Sequence, residues 1–369
     1  MRIGIDARLL SMPLSGIGRY SHEMINALLR RGCALTLFSP APLRHALEAG
    51  SGDYQVHSWR ARNGMQKLFW DQFILPRWAE QARLDAFWGP AHRLPTGLAG
   101  VVKCVTIHDL VWKHAPHTMR PLSRIMDRHF MPIAVRRADC VVAVSEHTRG
   151  DILQHWPALQ APVHTIYPGV SQRAAPLSRE ALARWGIDQP YCLFVGTLEP
   201  RKNLPRLLEA FAALPPAARH VQLVIAGGAG WGKLDLAGLI SRFGLSERVR
   251  LTGYVSEEEL ATLYAHAHGL AMPSLYEGFG LPLIEAMAHG VPLLTGALAS
   301  MPEVAGGAAI VVDPYRAEAI GEGLATLLLD GPRRQGLIAA GQNRVARFDW
   351  DRAAGELLAV LEGARTSLG

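Results

Sequence analysis

The sequence predicts an α/β protein made of two parallel-sheet, Rossmann-like domains in tandem. Short β-branched runs alternate with amphipathic stretches, as strands alternate with covering helices. The alternation stops after Tyr167-Pro168-Gly169-Val170 and then starts again. The chain has 369 residues, of which 49% are hydrophobic, so it can bury two cores.

In the first half, apolar runs at 2–6, 35–38, 101–107 and 140–144 read as strands, and 19–30, 66–78, 122–136 and 148–154 as helices. Residues 171–178 are polar with alanine and proline and read as a linker. In the second half, strands are expected at 191–195, 222–226, 249–251, 269–272 and 291–294. Helices are expected at 204–213, 256–265, 283–289, 316–329 and 333–347, with a last one over 352–364. The expected domains are 1–172 and 173–349.

Composition excludes several classes. Cys33, Cys104, Cys140 and Cys192 are scattered, without a CxxC pair, and read as buried thiols in a reducing compartment. The start, Met1-Arg2-Ile3-Gly4-Ile5-Asp6-Ala7-Arg8, lacks the unbroken apolar stretch of a signal peptide. No segment approaches the roughly 20 apolar residues that span a bilayer. These features predict a cytoplasmic protein. Residues 1–173 carry 21 Lys and Arg against 12 Asp and Glu, while the remainder carries 17 against 20. A basic first half suits anionic lipid or an acidic substrate. Nucleic acid is not expected, because there is no RNA-binding motif and no dense basic tract.

The most informative string is Glu277-Gly278-Phe279-Gly280-Leu281-Pro282-Leu283-Ile284-Glu285, between an apolar strand and a helix. Loops of this kind lie at the carboxyl edge of a parallel sheet, where ligands bind. One carboxylate falls on the loop and one on the helix, and the amides between them favour an anion. Carboxylates near a helix start also fit the macrodipole alone. A second string, Val195-Gly196-Thr197-Leu198-Glu199-Pro200-Arg201-Lys202-Asn203, sets two cations before a helix. A third, Ser15-Gly16-Ile17-Gly18-Arg19-Tyr20, is a small-residue turn in which Ser21 stands where a dinucleotide fingerprint has its third glycine. A fourth, Ile107-His108-Asp109, ends an apolar strand, and Asp109 either orients the histidine or caps a turn. Asp349-Trp350-Asp351 has the form of a DxD metal motif but sits at a helix start, where capping is the simpler role.

Together these strings resemble retaining glycosyltransferases of family 4, whose signature is E-x7-E and whose fold is GT-B: two Rossmann-like domains facing across a cleft. The resemblance covers nearly the whole chain and is strongest over 193–312. It implies a nucleotide-sugar donor, with Glu285 on the ribose and Glu277 on the sugar hydroxyls. Phe279, Gly280 and Leu281 complete that loop. Lys202 is implied on the diphosphate. Thr197 stands where many members place an arginine, so Arg201 is the candidate for the second charge. Gly16 and Gly18 are implied to face the donor phosphate, and His108 the donor sugar. The last helix, 350–369, is implied to cross back onto the first domain. The variant strings look most like bacterial mannosyl- or rhamnosyltransferases of surface-polysaccharide assembly. This implies GDP-mannose first and a UDP-hexose second, and a lipid-linked saccharide acceptor. The aromatic run 65–78, too rich for one core stripe, and the arginines of 120–137 beside the basic first half suit peripheral contact with anionic membrane. No metal or other cofactor is expected. A sugar-nucleotide epimerase or a non-catalytic assembly subunit of the same fold is the alternative.

Overall fold

The computed structural model describes residues 1–369 except Ser15, Ala49, Gln172, Arg173, Lys233 and Gly369. The chain forms two compact units. One comprises Met1–Leu110, Leu122–Gly169 and Asp349–Gly369; the other comprises Val111–Pro121 and Val170–Phe348. Val111–Pro121 thus departs from the expected division. Its Val111 and Ala115 pack against Tyr276 of the second unit. The boundary expected between 172 and 173 lies outside the described residues.

The first unit holds strands β1 (Arg2–Asp6), β2 (Ala34–Ser39), β3 (Tyr54–Ser58), β4 (Ala86–Gly89), β5 (Val102–Ile107), β6 (Cys140–Ala143) and β7 (Val163–Thr165). They pair in the order β3-β2-β1-β4-β5-β6-β7, all parallel. The second unit holds β8 (Tyr191–Val195), β9 (Gln222–Ala226), β10 (Val249–Gly253), β11 (Gly269–Met272), β12 (Leu293–Gly296) and β13 (Ala309–Val312), ordered β10-β9-β8-β11-β12-β13. Its central strands are buried over their whole length, as strands covered by helices on both faces must be. In each sheet the strand order reverses once, between β1 and β4 and between β8 and β11. Loops leaving the sheet at such a switch point diverge and open a ligand crevice.

Four strands escape the sequence reading. Two of them, β3 and β7, are sheet edges: β3 is exposed throughout and β7 has three half-buried residues. The other two, β4 and β13, have four residues each. The first helix also starts earlier than expected, spanning Gly16–Arg30. Gly16 and Gly18 therefore lie in its first turn rather than in a preceding loop.

The expected helix over 66–78 is interrupted. Gly64–Phe69 and Leu75–Gln81 are α-helical, with a π turn at Trp70–Ile74 between them. Pro76 has no N–H to donate backwards, and a widened turn accommodates that loss. The π turn sends Trp70 fully into a core with Phe38, Leu75 and Phe87. It leaves Met65, Phe69 and Phe73 exposed.

The last helix, Trp350–Leu368, belongs to the first unit. It buries Ala353, Ala354, Leu357 and Leu361, and its Asp351 accepts from Arg30 Nε at 3.0 Å. The Asp349 carboxylate accepts the Arg352 N–H at 2.6 Å, so the DxD string caps this helix.

Candidate active site

The crossing loops after β8 and β9 are shaped by backbone that only glycine tolerates well. Gly227 has φ +158°, and a Cβ there would stand 2.0 Å from the Gly196 carbonyl oxygen. Gly196 has φ +148°, and a Cβ there would stand 3.3 Å from Lys202 Cε. The absent side chain leaves a channel through which the Lys202 stem folds back under the loop. Lys202 is buried, while Thr197 at the crest of the loop is exposed.

Asn203 closes the loop in the left-handed conformation, φ 62°, which asparagine accepts more readily than most residues. Its side-chain amide donates to the carbonyls of Pro273 at 3.0 Å and Pro314 at 2.6 Å. One buried side chain thereby ties together the loops that follow β8, β11 and β13. The Leu275 N–H adds a bond to the Arg201 carbonyl at 2.8 Å.

These ties bring Lys202, Arg201 and Glu277 into one cluster. Lys202 Nζ donates to Glu277 Oε1, and Arg201 Nη1 donates to Glu277 Oε2. Arg201 also donates to Glu199 at 3.0 Å and to the Tyr276 carbonyl at 3.2 Å. Burial alone would raise the Glu277 pKa, but the Arg201 and Lys202 charges hold it down at about 2. Burial draws the Lys202 ammonium below its ordinary value, with Glu277 opposing and Arg201 reinforcing that shift. The loop itself is held by Ser300, whose hydroxyl lies 2.8 Å from the Glu277 carbonyl and 3.2 Å from that of Phe279. The Phe279 ring meets Phe348 edge-on at 5.5 Å. Gly280, at φ +96°, caps helix Leu281–Ala288, and Pro282 is its second residue.

Glu285 lies on that helix and is buried. Its Oε2 accepts the Tyr264 hydroxyl at 2.9 Å, and the Tyr264 ring stacks on His289 at 5.2 Å. The two glutamates thus have different surroundings: one sits against cations, the other against a phenol.

In the first unit, His108 follows β5. Its Nε2 lies 2.7 Å from the Pro90 carbonyl, which can only accept, so Nε2 carries the proton. The His108 backbone N–H donates to His92 Nε2 at 2.9 Å. His92 has the left-handed φ of 61°, and its ring centre is 5.3 Å from that of His108. Tyr20, from helix Gly16–Arg30, stands edge-on to His108 at 4.7 Å, so the glycine turn and the histidine are neighbours. Ser15 of that turn lies outside the described residues. Burial, then the neighbouring His92, brings His108 down to about 3; burial, then Arg93, brings His92 down to about 4. Both rings are neutral near pH 7, so the one proton His108 carries is the Nε2 proton held by the Pro90 carbonyl.

Beside them, Arg8 donates to Asp6 at 2.9 and 2.7 Å and also to Asp71. Arg93 donates to the other Asp71 oxygen at 3.1 Å. The Ile5-Asp6-Ala7-Arg8 opening is thus one end of a four-charge relay running between the loops after β1 and β4. Among the described residues, no group of three or more His, Cys, Asp or Glu stands in a metal-holding arrangement.

Residues 179–344 match the profile of glycosyl transferases group 1, and residues 14–173 that of glycosyltransferase family 4. The chain is 30% identical over 376 residues to O-antigen chain mannosyltransferase B of Escherichia coli, covering 95% of this chain and 97% of that one. This chain belongs to glycosyltransferase family 4. The enzyme is also 29% identical over 316 residues to the GDP-mannose-dependent alpha-(1-6)-phosphatidylinositol monomannoside mannosyltransferase of Mycobacterium tuberculosis, covering 81% and 78% of the two chains. Sucrose-phosphate synthase from Thermosynechococcus elongatus superposes on it with a TM-score of 0.78 at 23% identity, over 99% and 100% of the chains. The fold of the glycosyltransferase is GT-B.

Sequence reading of this glycosyltransferase missed Asn203, Tyr264, Ser300 and His92 as supports of the site. Asn203 stands inside a string singled out for its cations, and the carbonyl partners of Asn203 and Ser300 carry no side-chain signal. His92 follows β4, which the sequence reading did not mark as a strand.

The two buried histidines make stability pH-dependent. In the unfolded chain each titrates near 6.5, above its folded value, so the unfolded state binds more protons as pH falls below about 6.5. Each then removes about 1.4 kcal/mol of stability per pH unit until its folded value is approached. Urea midpoints should hold steady above about pH 7 and fall from 6.5 to 5. His92→Gln, whose amide can still accept the His108 N–H, should lose about half of that slope. An unchanged slope would mean that His92 takes up its proton in the folded enzyme.

Proposed function

We propose that this glycosyltransferase moves a mannosyl residue, with retention of configuration, from GDP-mannose to a lipid-linked saccharide during assembly of a bacterial surface polysaccharide. The observation that carries the reading is the convergence of Lys202, Arg201 and Glu277 at the switch point of the second sheet. Two cations fixed beside loop amides suit a diphosphate whose charge grows as the glycosidic bond breaks. The mannosyl and polysaccharide parts are supported by the names of the two similar mannosyltransferases, and the GDP part by one of them.

In this reading the nucleotide diphosphate lies against Lys202 and Arg201, with Thr197, Phe279, Gly280 and Leu281 lining the loops. Glu285 takes the ribose hydroxyls and Glu277 those of the sugar. Gly16, Gly18 and neutral His108 serve the donor from the first unit, His108 accepting at Nδ1. The C1–O bond to the diphosphate breaks as the acceptor oxygen bonds C1 on the same face. The acceptor proton passes to the departing phosphate oxygen, so no protein base is needed.

Lys202→Ala should lower turnover at least about a hundredfold, the order expected when a transition-state charge contact is lost. Glu285→Ala should mainly raise the donor KM, and Glu277→Ala should mainly lower kcat. A folded Lys202→Ala enzyme with nearly full activity would show the diphosphate assignment to be wrong. A thermal-shift screen of GDP-, UDP-, ADP- and dTDP-sugars identifies the donor, because a ligand of the native state raises apparent stability. Stabilisation by a UDP-hexose alone would replace GDP-mannose with the second candidate.

We also propose that catalysis needs no metal, since the cations for the diphosphate are side chains. Transfer should persist in excess EDTA. Activity lost in EDTA and restored by Mg²⁺ or Mn²⁺ would overturn this.

The first unit carries a surface suited to the cytoplasmic face of a membrane. Met65, Phe69 and Phe73 are 82, 51 and 55% exposed, and Leu122 and Ile125 are 71 and 63% exposed. The exposed Arg124 and Arg128 stand on the same helix as the last two, Pro121–Arg137. The two segments meet around a cavity of about 120 Å³ lined by Asp71, Gln72, His129, Phe130 and Arg137. Apolar side chains beside basic ones suit a headgroup boundary, each cation adding about 1 kcal/mol on anionic lipid. Co-sedimentation with phosphatidylserine vesicles should be strong at low salt, fall as salt rises, and weaken in Arg124→Glu/Arg128→Glu. No sedimentation at low salt would favour a soluble acceptor. Among the described residues no helix is long and apolar enough to cross a membrane.

A further inference from the structure

The ion-pair cluster at the second switch point is complete without a ligand. Each Glu277 oxygen is taken by one cation, Lys202 or Arg201. Glu199 supplies a second carboxylate to Arg201. Two positive and two negative charges therefore stand together, and both Glu277 and Lys202 are only 6% exposed. A diphosphate arriving at these four residues meets no net positive charge from them. It gains the cations only if a carboxylate gives them up.

We propose that Glu277 is an exchangeable counter-ion: it holds Lys202 and Arg201 in the empty enzyme and yields them to the donor diphosphate. The proposal deepens the functional reading above and rests on its assignment of the diphosphate to these two residues. The exchange has a consequence for which nucleotide is held. A displaced, buried carboxylate must find new hydrogen-bond donors or bear the cost of leaving its charge unmet. A nucleotide sugar brings hydroxyls that supply them. A bare nucleoside diphosphate brings only its ribose hydroxyls, which this reading gives to Glu285. The freed Glu277 then competes to recover its cations, and its return expels the spent nucleotide. The same carboxylate that orients the sugar thus also discriminates donor from product and assists release.

The cluster is fixed in place for such an exchange. Ser300 and the Tyr276 carbonyl anchor the two ends of the loop, and Asn203 anchors the backbone beside Lys202. The carboxylate changes partners while the loop that carries it stays held.

The test is calorimetric titration of GDP, and in parallel UDP, into the wild-type enzyme, Glu277→Gln and Lys202→Met. Glutamine keeps the shape but has one acceptor oxygen, its NH2 turning a donor toward the other cation, and it carries no charge to compete with a phosphate. Glu277→Gln should bind the preferred nucleoside diphosphate about tenfold tighter than wild type, as removal of a facing like charge predicts. The affinity ratio of donor sugar to bare nucleotide should fall by a similar factor, and product inhibition should deepen to match. Lys202→Met should bind at least about tenfold more weakly. Should Glu277→Gln unfold because Lys202 is left unpaired, Glu277→Asp gives the same readout: its carboxylate is one methylene short of both cations, and tightening is again expected. Nucleotide binding that needs Lys202 but is unchanged or weakened in the Glu277 variants would overturn the exchange and leave the diphosphate site standing. Binding indifferent to Lys202, or absent for both nucleotides, would overturn the site and the exchange together.

Discussion

A carboxylate shared between two cations, almost out of reach of water, is the constraint around which the second unit is arranged. Burying Glu277 and Lys202, with Arg201 half-buried beside them, is costly unless each charge finds partners at hydrogen-bond distance. That requirement explains features otherwise unrelated. Gly196 and Gly227 lack side chains because the Lys202 stem and a crossing carbonyl fill the space. Asn203 takes up a left-handed conformation because its amide must reach two carbonyls on different loops. Ser300 spends its hydroxyl on the backbone of the glutamate loop rather than on solvent. None of these residues touches the others' chemistry, yet each holds an atom on which the ion pairs depend.

The first unit meets its equivalent problem differently. Its switch-point loops contain two neutral imidazoles locked by main-chain groups, and a relay of Asp6, Arg8, Asp71 and Arg93. The second unit concentrates compensated charge where a highly charged group is to bind. The first removes charge from His108 and leaves it a hydrogen-bonding surface. That difference follows from burial and partner choice, since histidine and lysine alike lose affinity for protons when desolvated.

Much of this was legible in the chain. The buried parallel strands show as unbroken apolar runs because both their faces are covered. Glu277, Glu285, Lys202 and His108 sit at strand-to-helix junctions that composition and turn residues mark. Edge strands were not legible, because β3 is exposed on both faces and β7 is only three residues long. Pairings that join side chain to backbone were also hidden. Nothing in Pro273 or Pro314 announces that Asn203 will bind their carbonyls. The aromatic run 65–78 could be seen as too rich for one stripe, but its division came from the π turn, which sends Trp70 inward and Phe73 outward.

The two units are also not laid end to end along the chain. The first is assembled from three stretches, the last of them the helix Trp350–Leu368. That helix covers apolar surface with Ala353, Ala354, Leu357 and Leu361. On the ribosome the second unit has all its residues before the first does, although the first is begun earlier. The nascent first sheet waits with one flank uncovered until translation is nearly finished. Premature termination near the carboxyl end therefore strands the amino-terminal unit, with an open hydrophobic face for chaperones or proteases to find.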